Sequence, residues 1–219
     1  MIRVKQVSKT LGGTPVLDCV SFVVPDRKVV AVLGPSGTGK TVLLRVLAAL
    51  VEPDSGEVTF DGGRERLGFV FQTGALFDSL SVEENVALPI EEHFNLRPEV
   101  VRRRSVGLLE RVGMADARIL YPKQLSGGMT RLVAIARALA LDPAYLLYDE
   151  PTTGLDPLMR DRVCDLIATL REREGKTQVV VTHDLDAVRA IADEILMLRD
   201  GRLTALAAAH KEDYENPCS

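Results

Sequence analysis

The chain has little that would carry it into a membrane or out of the compartment where it is made. None of its apolar runs approaches the roughly 20 residues needed to cross a bilayer. The opening Met1, Ile2, Arg3, Val4 and Lys5 lack an apolar signal-peptide core. The expectation is a soluble chain that stays where it is made and meets a membrane only through another protein. Cysteine is scarce as well. Cys19, Cys164 and Cys218 form an odd set without metal-ligand spacing, which reads as free thiols in a reducing compartment rather than as a disulfide framework. Positive charge is not in excess: 27 Lys and Arg against 31 Asp and Glu leave a net −4, so no overall field favours nucleic acid as a partner. The run Arg102, Arg103 and Arg104 reads as a solvated helix face. Internal repeats and low-complexity linkers are absent too. With 46% hydrophobic residues among 219, the chain is long enough to bury a core, and one domain with a subdomain is the default.

What is present is an alternation of strand and helix signals. Short β-rich runs at 2–7, 20–24 and 29–33 lead to a glycine loop, and the last run is almost wholly apolar, as a buried strand is. A helix is predicted over 41–50, ended by Pro53 and Gly56, then a short strand at 57–60. From 81 to about 140 the pattern turns helical, with Pro98 suited to a first turn and Gly113 to a termination. A second α/β portion follows. It holds strands at 144–148 and 177–182, a helix over 157–174 with Leu158, Val163, Leu166, Ile167 and Leu170 on its core face, a helix over 185–192, and closing strands at 194–198 and 202–206. Strands joined by helices pair in parallel, so the fold class is α/β. The expected division is an α/β core of 1–80 and 141–219 with a helical subdomain, 81–140, inserted between its halves.

Three segments carry chemistry. In Gly34-Pro35-Ser36-Gly37-Thr38-Gly39-Lys40-Thr41, a glycine-rich turn joins a buried strand to a helix and aims backbone N–H groups and a helix N-terminus at one spot, an arrangement that binds phosphate. Gly34 and Gly39 supply backbone conformations, Lys40 neutralises the β- and γ-phosphates, and the Thr41 hydroxyl ligates magnesium. The second segment, Tyr145 to Glu150, places two carboxylates at the C-terminal end of a buried parallel strand, where α/β folds collect ligands. Asp149 is suited to hold magnesium through water and Glu150 to orient and polarise an attacking water. In the third, Leu125-Ser126-Gly127-Gly128-Met129, two readings stand side by side: a helix N-cap built on Ser126, or a second anion site made by its hydroxyl, the exposed N–H groups and the helix dipole.

The loop from Gly34 to Thr41, Gln72, the segment from Leu125 to Met129, the pair Asp149 and Glu150, the run Gly154-Leu155-Asp156, and His183 resemble, in order and spacing, the ATP-binding cassette (ABC) ATPases over essentially the whole chain. The resemblance implies a P-loop NTPase core with a mostly parallel sheet, an N-terminal antiparallel β portion and an inserted helical subdomain. It implies ATP and Mg2+, with ATP held by residues 34–42 including Val42 and the metal by Thr41, Gln72 and Asp149. It further implies a homodimer in which ATP is sandwiched between the phosphate loop of one copy and Ser126, Gly127, Gly128 and Met129 of the other. Gln72 is similar to the residue that links the site to the helical subdomain, His183 to the switch histidine that contacts the γ-phosphate, and Asp156 to the aspartate of the loop after the acid pair. Asp156 is also an N-cap before Pro157. Hydrolysis is thereby assigned to Glu150, His183, Gln72 and Lys40.

Two departures stand out. Where many members stack an aromatic on adenine, this chain has Leu11, and the signature segment ends in Met129 in place of glutamine. That methionine, with the stretch from Phe71 to Pro89, resembles the Mla-type cassettes, which drive phospholipid transport with MCE-domain proteins across the bacterial envelope. The resemblance implies a membrane permease docked near Gln72 and the helical subdomain, and a place on the cytoplasmic face of the inner membrane. Leu76, Phe77 and Leu80 are either core or part of an apolar groove for that permease. The alternatives are a transporter for another solute and a soluble cassette for iron-sulfur or macromolecular assembly. The short end, Glu215 to Ser219, lacks the extension some similar cassettes carry.

Overall fold

A computed structural model describes residues 1–206. Cys218 and the segment 215–219 lie outside the described residues. The chain opens on a hairpin of β1 (Ile2–Leu11) and β2 (Thr14–Val24), turned at Gly12 and Gly13, both with positive φ. Next come β3 (Val29–Leu33), α1 (Lys40–Leu47), β4 (Ser55–Phe60) and β5 (Leu67–Val70). Helices α2 (Val82–His93), α3 (Pro98–Arg111) and α4 (Gly127–Ala138) follow, then β6 (Tyr145–Asp149), α5 (Pro157–Glu172), β7 (Thr177–Thr182), α6 (Leu185–Ile191), β8 (Glu194–Arg199) and β9 (Arg202–Leu206).

Two sheets result. An antiparallel one has the order β2-β1-β4, and a six-stranded one has the order β5-β6-β7-β3-β8-β9, parallel except where β9 returns against β8. Strands β3, β6 and β7 are buried along their whole length, which is why each is built on an apolar run, with the polar Thr177, Gln178, Thr182 and Asp149 at the ends of β7 and β6. Successive side chains of a strand point to opposite faces. Tyr145 and Leu147 therefore join the core around α1 and the antiparallel sheet, whereas Leu146 and Tyr148 join the core under α2 to α5.

The helical stretch is punctuated by its own residues. Ser81 and Glu84 form a reciprocal capping box at the start of α2. Pro98 opens α3, and Gly113, at φ 65°, closes it while its N–H donates to the Glu110 carbonyl and that of Met114 to Leu109. Buried Asn85 pins the chain before α2, accepting from the Phe77 N–H and donating to the carbonyls of Phe77, Leu80 and Ser81.

One sequence expectation is corrected, one strand was not anticipated, and one open reading divides. Leu158 is not on the core face of α5: it is 81% exposed. It stands five residues before Val163, about 140° around the helix from it at 100° per residue, and the partly buried Met159 takes the packed position. Strand β5 was not anticipated, because Leu67 to Val70 is only four residues long and includes a glycine. The cluster after Gln72 divides: Leu76 packs on the core while Phe77 is exposed.

This division of α5 is measurable by urea unfolding of the nucleotide-free protein. Ile167→Ala, at a fully buried position, is expected to cost about 2–5 kcal/mol. Leu158→Ala is expected to stay within about 0.5 kcal/mol of the parent.

Candidate active site

The C-terminal ends of β5, β6, β7 and β3 lie side by side, with Leu33 opposite Thr182, Asp149 opposite Val181 and Val70 opposite Tyr148. The loops leaving these ends carry the sequence-predicted residues to one edge of the sheet. After Leu33 the chain turns through Gly37 and Gly39, at φ 83° and 100°, into α1. Both φ values belong to the left-handed region that glycine tolerates best. Gly39 caps α1 with no side chain bonded to the first turn, so the helix's leading N–H groups are left for a ligand. Gly34 is needed for a different reason than conformation. A Cβ there would sit 2.6 Å from the Leu198 carbonyl oxygen and 2.8 Å from Thr38 Oγ1, so space is what excludes other residues.

Lys40 is buried, and its Nζ donates to the carbonyls of Gly34 at 2.7 Å and Pro35 at 3.0 Å. The same Nζ lies 3.5 Å from Glu150 Oε1. Thr38 Oγ1 donates to the Pro35 carbonyl and stiffens the loop. Thr41 Oγ1 donates to Asp149 Oδ1 at 3.0 Å. Burial pushes the Asp149 carboxyl above its ordinary value, partly opposed by the Thr41 hydrogen bond. Glu150 behaves in the opposite sense. Burial alone would raise it, but hydrogen bonds from His183, Thr153 and Thr182 hold it below the usual glutamate value. Its Oε2 accepts from Thr153 Oγ1 at 2.8 Å and Thr182 Oγ1 at 2.9 Å, and its Oε1 lies 3.0 Å from His183 Nδ1. The Glu150 backbone has φ 48°, a strained value for a residue with a side chain, kept in place by its N–H donating to the Val181 carbonyl at 2.9 Å.

A cavity of about 510 Å³ opens over these groups. Ser36, Gly37, Gly39, Lys40, Thr41, Gln72, Glu150 and His183 line it, together with aliphatic walls from Leu11, Val16 and Val42. Gly34, Pro35, Thr38 and Asp149 do not line it. Ser126, Gly127, Gly128, Met129 and Asp156 are not part of it. Ser126 is exposed and caps α4 by accepting from the Met129 N–H, Gly128 is pressed against Met159 of α5, and Met129 packs on the core. Asp156 caps α5, with Pro157 in its first turn.

Sequence reasoning missed the two hydroxyls on Glu150. Their one signal is position: Thr153 lies three residues after the acid, and Thr182 immediately before His183. It also missed Val16, whose place on the cavity wall follows from the hairpin. Among the described residues no three His, Cys, Asp or Glu side chains gather as a metal cage. Thr41 and Asp149 still fit a hard divalent cation: a hydroxyl and a buried carboxylate in contact, with the remaining ligands to come from phosphate oxygens and water.

The chain is similar to proteins of known family. The family model described as ABC transporter matches residues 17–153. The chain is 39% identical to the intermembrane phospholipid transport system ATP-binding protein MlaF of Escherichia coli (strain K12), across 95% of this chain and 82% of that protein. It is 43% identical to the methionine import ATP-binding protein MetN 3 of Pseudomonas fluorescens, across 93% and 67%. A solved dimeric, post-hydrolysis state of the ATP-binding cassette MJ0796, bound to ADP and Pi, matches with a TM-score of 0.86 at 33% identity, covering 95% of this chain and all of that one.

The aliphatic wall predicts weak grip on a nucleobase. Leu11→Tyr adds a stacking face worth about 1–3 kcal/mol. The expected outcome is ATP bound about tenfold or more tightly, read by calorimetric titration, with the hydrolysis rate at saturation little changed. Unchanged affinity would mean that the base does not lie on Leu11.

Proposed function

This chain belongs to the ABC transporter family as an ATP-binding, ATP-hydrolysing cassette, and from that premise we propose that it powers phospholipid transport across the bacterial envelope. The observation that carries the catalytic part is the Glu150 carboxylate, held charged and oriented by Thr153, Thr182 and His183 within 3.5 Å of Lys40. A carboxylate kept below its ordinary pKa is ionised at neutral pH and can orient and polarise a water for attack on the γ-phosphate.

Residues 34–42 cradle the phosphates with backbone N–H groups, and Lys40 exchanges its loop carbonyls for β- and γ-phosphate oxygens. His183, half exposed at the cavity rim, reaches the γ-phosphate. Thr41, Asp149 and Gln72 are the residues that would hold Mg2+, which when bound offsets the charge that builds on the phosphates. Ser126, Gly127, Gly128 and Met129 complete the ATP site of a second copy. The exposed N-terminus of α4, absent from its own chain's cavity, supports that reading, as does the dimeric state of the similar solved cassette. Asp156, on the loop between the acid pair and α5, is assigned to that interface.

Among the described residues no helix is long and apolar enough to cross a membrane. A permease docked near Gln72 and the helices α2 to α4, and an MCE-domain protein bound to it, would place the cassette on the cytoplasmic face of the inner membrane. Exposed Phe77 offers an apolar contact for the permease. Phospholipid as cargo is supported by Met129 in the signature segment and by the MlaF relatives. The 43% identity to a methionine importer keeps a second reading, transport of another solute, but this chain spans only 67% of that protein against 82% of MlaF.

Glu150→Gln removes the ionised oxygen and keeps the shape. It is expected to bind ATP normally, to lower hydrolysis by about 10²–10⁴-fold and to accumulate as an ATP-bound dimer in size-exclusion chromatography. Hydrolysis at the parental rate would overturn the role of Glu150. For the cargo, the measurement is affinity purification from solubilised membranes. Recovery with a polytopic permease and an MCE-domain protein is expected, whereas recovery with soluble assembly proteins alone would sink the transport reading.

A further inference from the structure

Arg131 and Arg137 both reach from α4 to the segment that leaves β5. Arg131 is 6% exposed, and its Nη1 donates to the Phe71 carbonyl at 2.8 Å. Its Nε is buried with no hydrogen-bond partner among the described residues. Arg137 donates through Nη1 to the Ala75 carbonyl at 2.7 Å and through Nη2 to the Gly74 carbonyl at 2.8 Å. Between these anchor points lies a tight turn, closed by the Gly74 N–H on the Phe71 carbonyl at 2.9 Å, and Gln72 is its second residue. The turn lies flat on α4. A Cβ at Gly74, where φ is 78°, would sit 2.8 Å from Thr130 Cγ2. Two carbonyls of the Gln72 turn, and that of Ala75 just after it, are thus held by two guanidinium groups on the helix whose N-terminus is the signature segment.

Holding a turn does not require charge. A neutral donor would do it with a smaller desolvation cost, and Arg131 keeps its charge against burial with help from the fields of Asp149 and Glu150. What a guanidinium adds is a rigid, planar set of donors that fixes direction as well as distance. We propose that Arg131 and Arg137 are positioning residues that hold the turn bearing Gln72 against α4 and so set where the Gln72 side chain stands over the site. This rests on the reading that Gln72 serves its own chain's ATP.

The test is steady-state ATP hydrolysis by the full-length chain carrying Arg131→Met, Gln72→Ala, or both, with melting temperature recorded for each. Arg131→Met is expected to lower kcat by about ten- to a hundredfold, the scale of a misplaced catalytic group, with KM for ATP within about threefold. The double variant is expected to be no slower than the slower single one, because both changes break the same link. Losses that multiply in the double variant, or a lowered melting temperature with kcat of the folded fraction intact, would overturn the proposal. Should Arg131→Met not fold, Arg137→Lys retains one donor and is read the same way: a smaller kcat loss that does not multiply with Gln72→Ala supports the lock, and multiplication refutes it. A parent protein that hydrolyses no ATP would refute the underlying site. An active parent with multiplying losses would refute the lock alone.

Discussion

The nucleotide end of this molecule depends on the parallel register of four strands. Thr182 stands opposite Leu33, Val181 opposite Asp149, and Tyr148 opposite Val70. Because all four run the same way, the loops that leave them meet at one edge. A slip of one residue would send every side chain to the other face of the sheet. Leu146 and Tyr148 would then trade cores with Tyr145 and Leu147, and Glu150 would lose Thr182 and His183. Burial on both faces makes that slip costly, so the core that stabilises the sheet also aims the groups that line the cavity.

The same edge sorts two adjacent carboxylates into different states. Asp149 ends β6 beside Thr41, where burial raises its pKa. Glu150 is turned out of the strand direction by its positive φ and is met by three donors that lower its pKa. Neighbouring acids with opposed shifts can do different work at one pH. Here the raised one faces the Thr41 hydroxyl, and the lowered one faces the histidine and lysine of the cavity.

How well the residues announced this depended on range. β3 was legible because an unbroken apolar run bounded by loops has few other readings, β7 because its Val179 to Val181 are β-branched and flanked by threonines, and the loop at 34–41 because its glycines, lysine and threonine act within eight positions. Leu158 misled because it is apolar and close to the right spacing, yet a helix advances 100° per residue and five residues miss the stripe. Gly34 was legible as required but not why: the crowding comes from Leu198 on β8, far along the chain. β5 was invisible because its four residues become a strand only when β6 supplies the partner.

By itself the sequence determined which chemical groups are available and the turns that hold them locally. The phosphate loop, the Ser126 cap on α4 and the Asp156 cap on α5 each depend on residues no more than six positions apart, and backbone geometry links such neighbours whatever the rest of the chain does. Only the tertiary structure decided that Thr41 meets Asp149 across 108 positions and His183 meets Glu150 across 33. It alone decided that Ser126 lies outside its own chain's cavity and that two arginines of α4 hold the turn bearing Gln72. Those meetings follow from the order in which strands pair, β5-β6-β7-β3, and that order is chosen by the burial of two whole sheet faces, a property of the assembled core that no local spacing encodes.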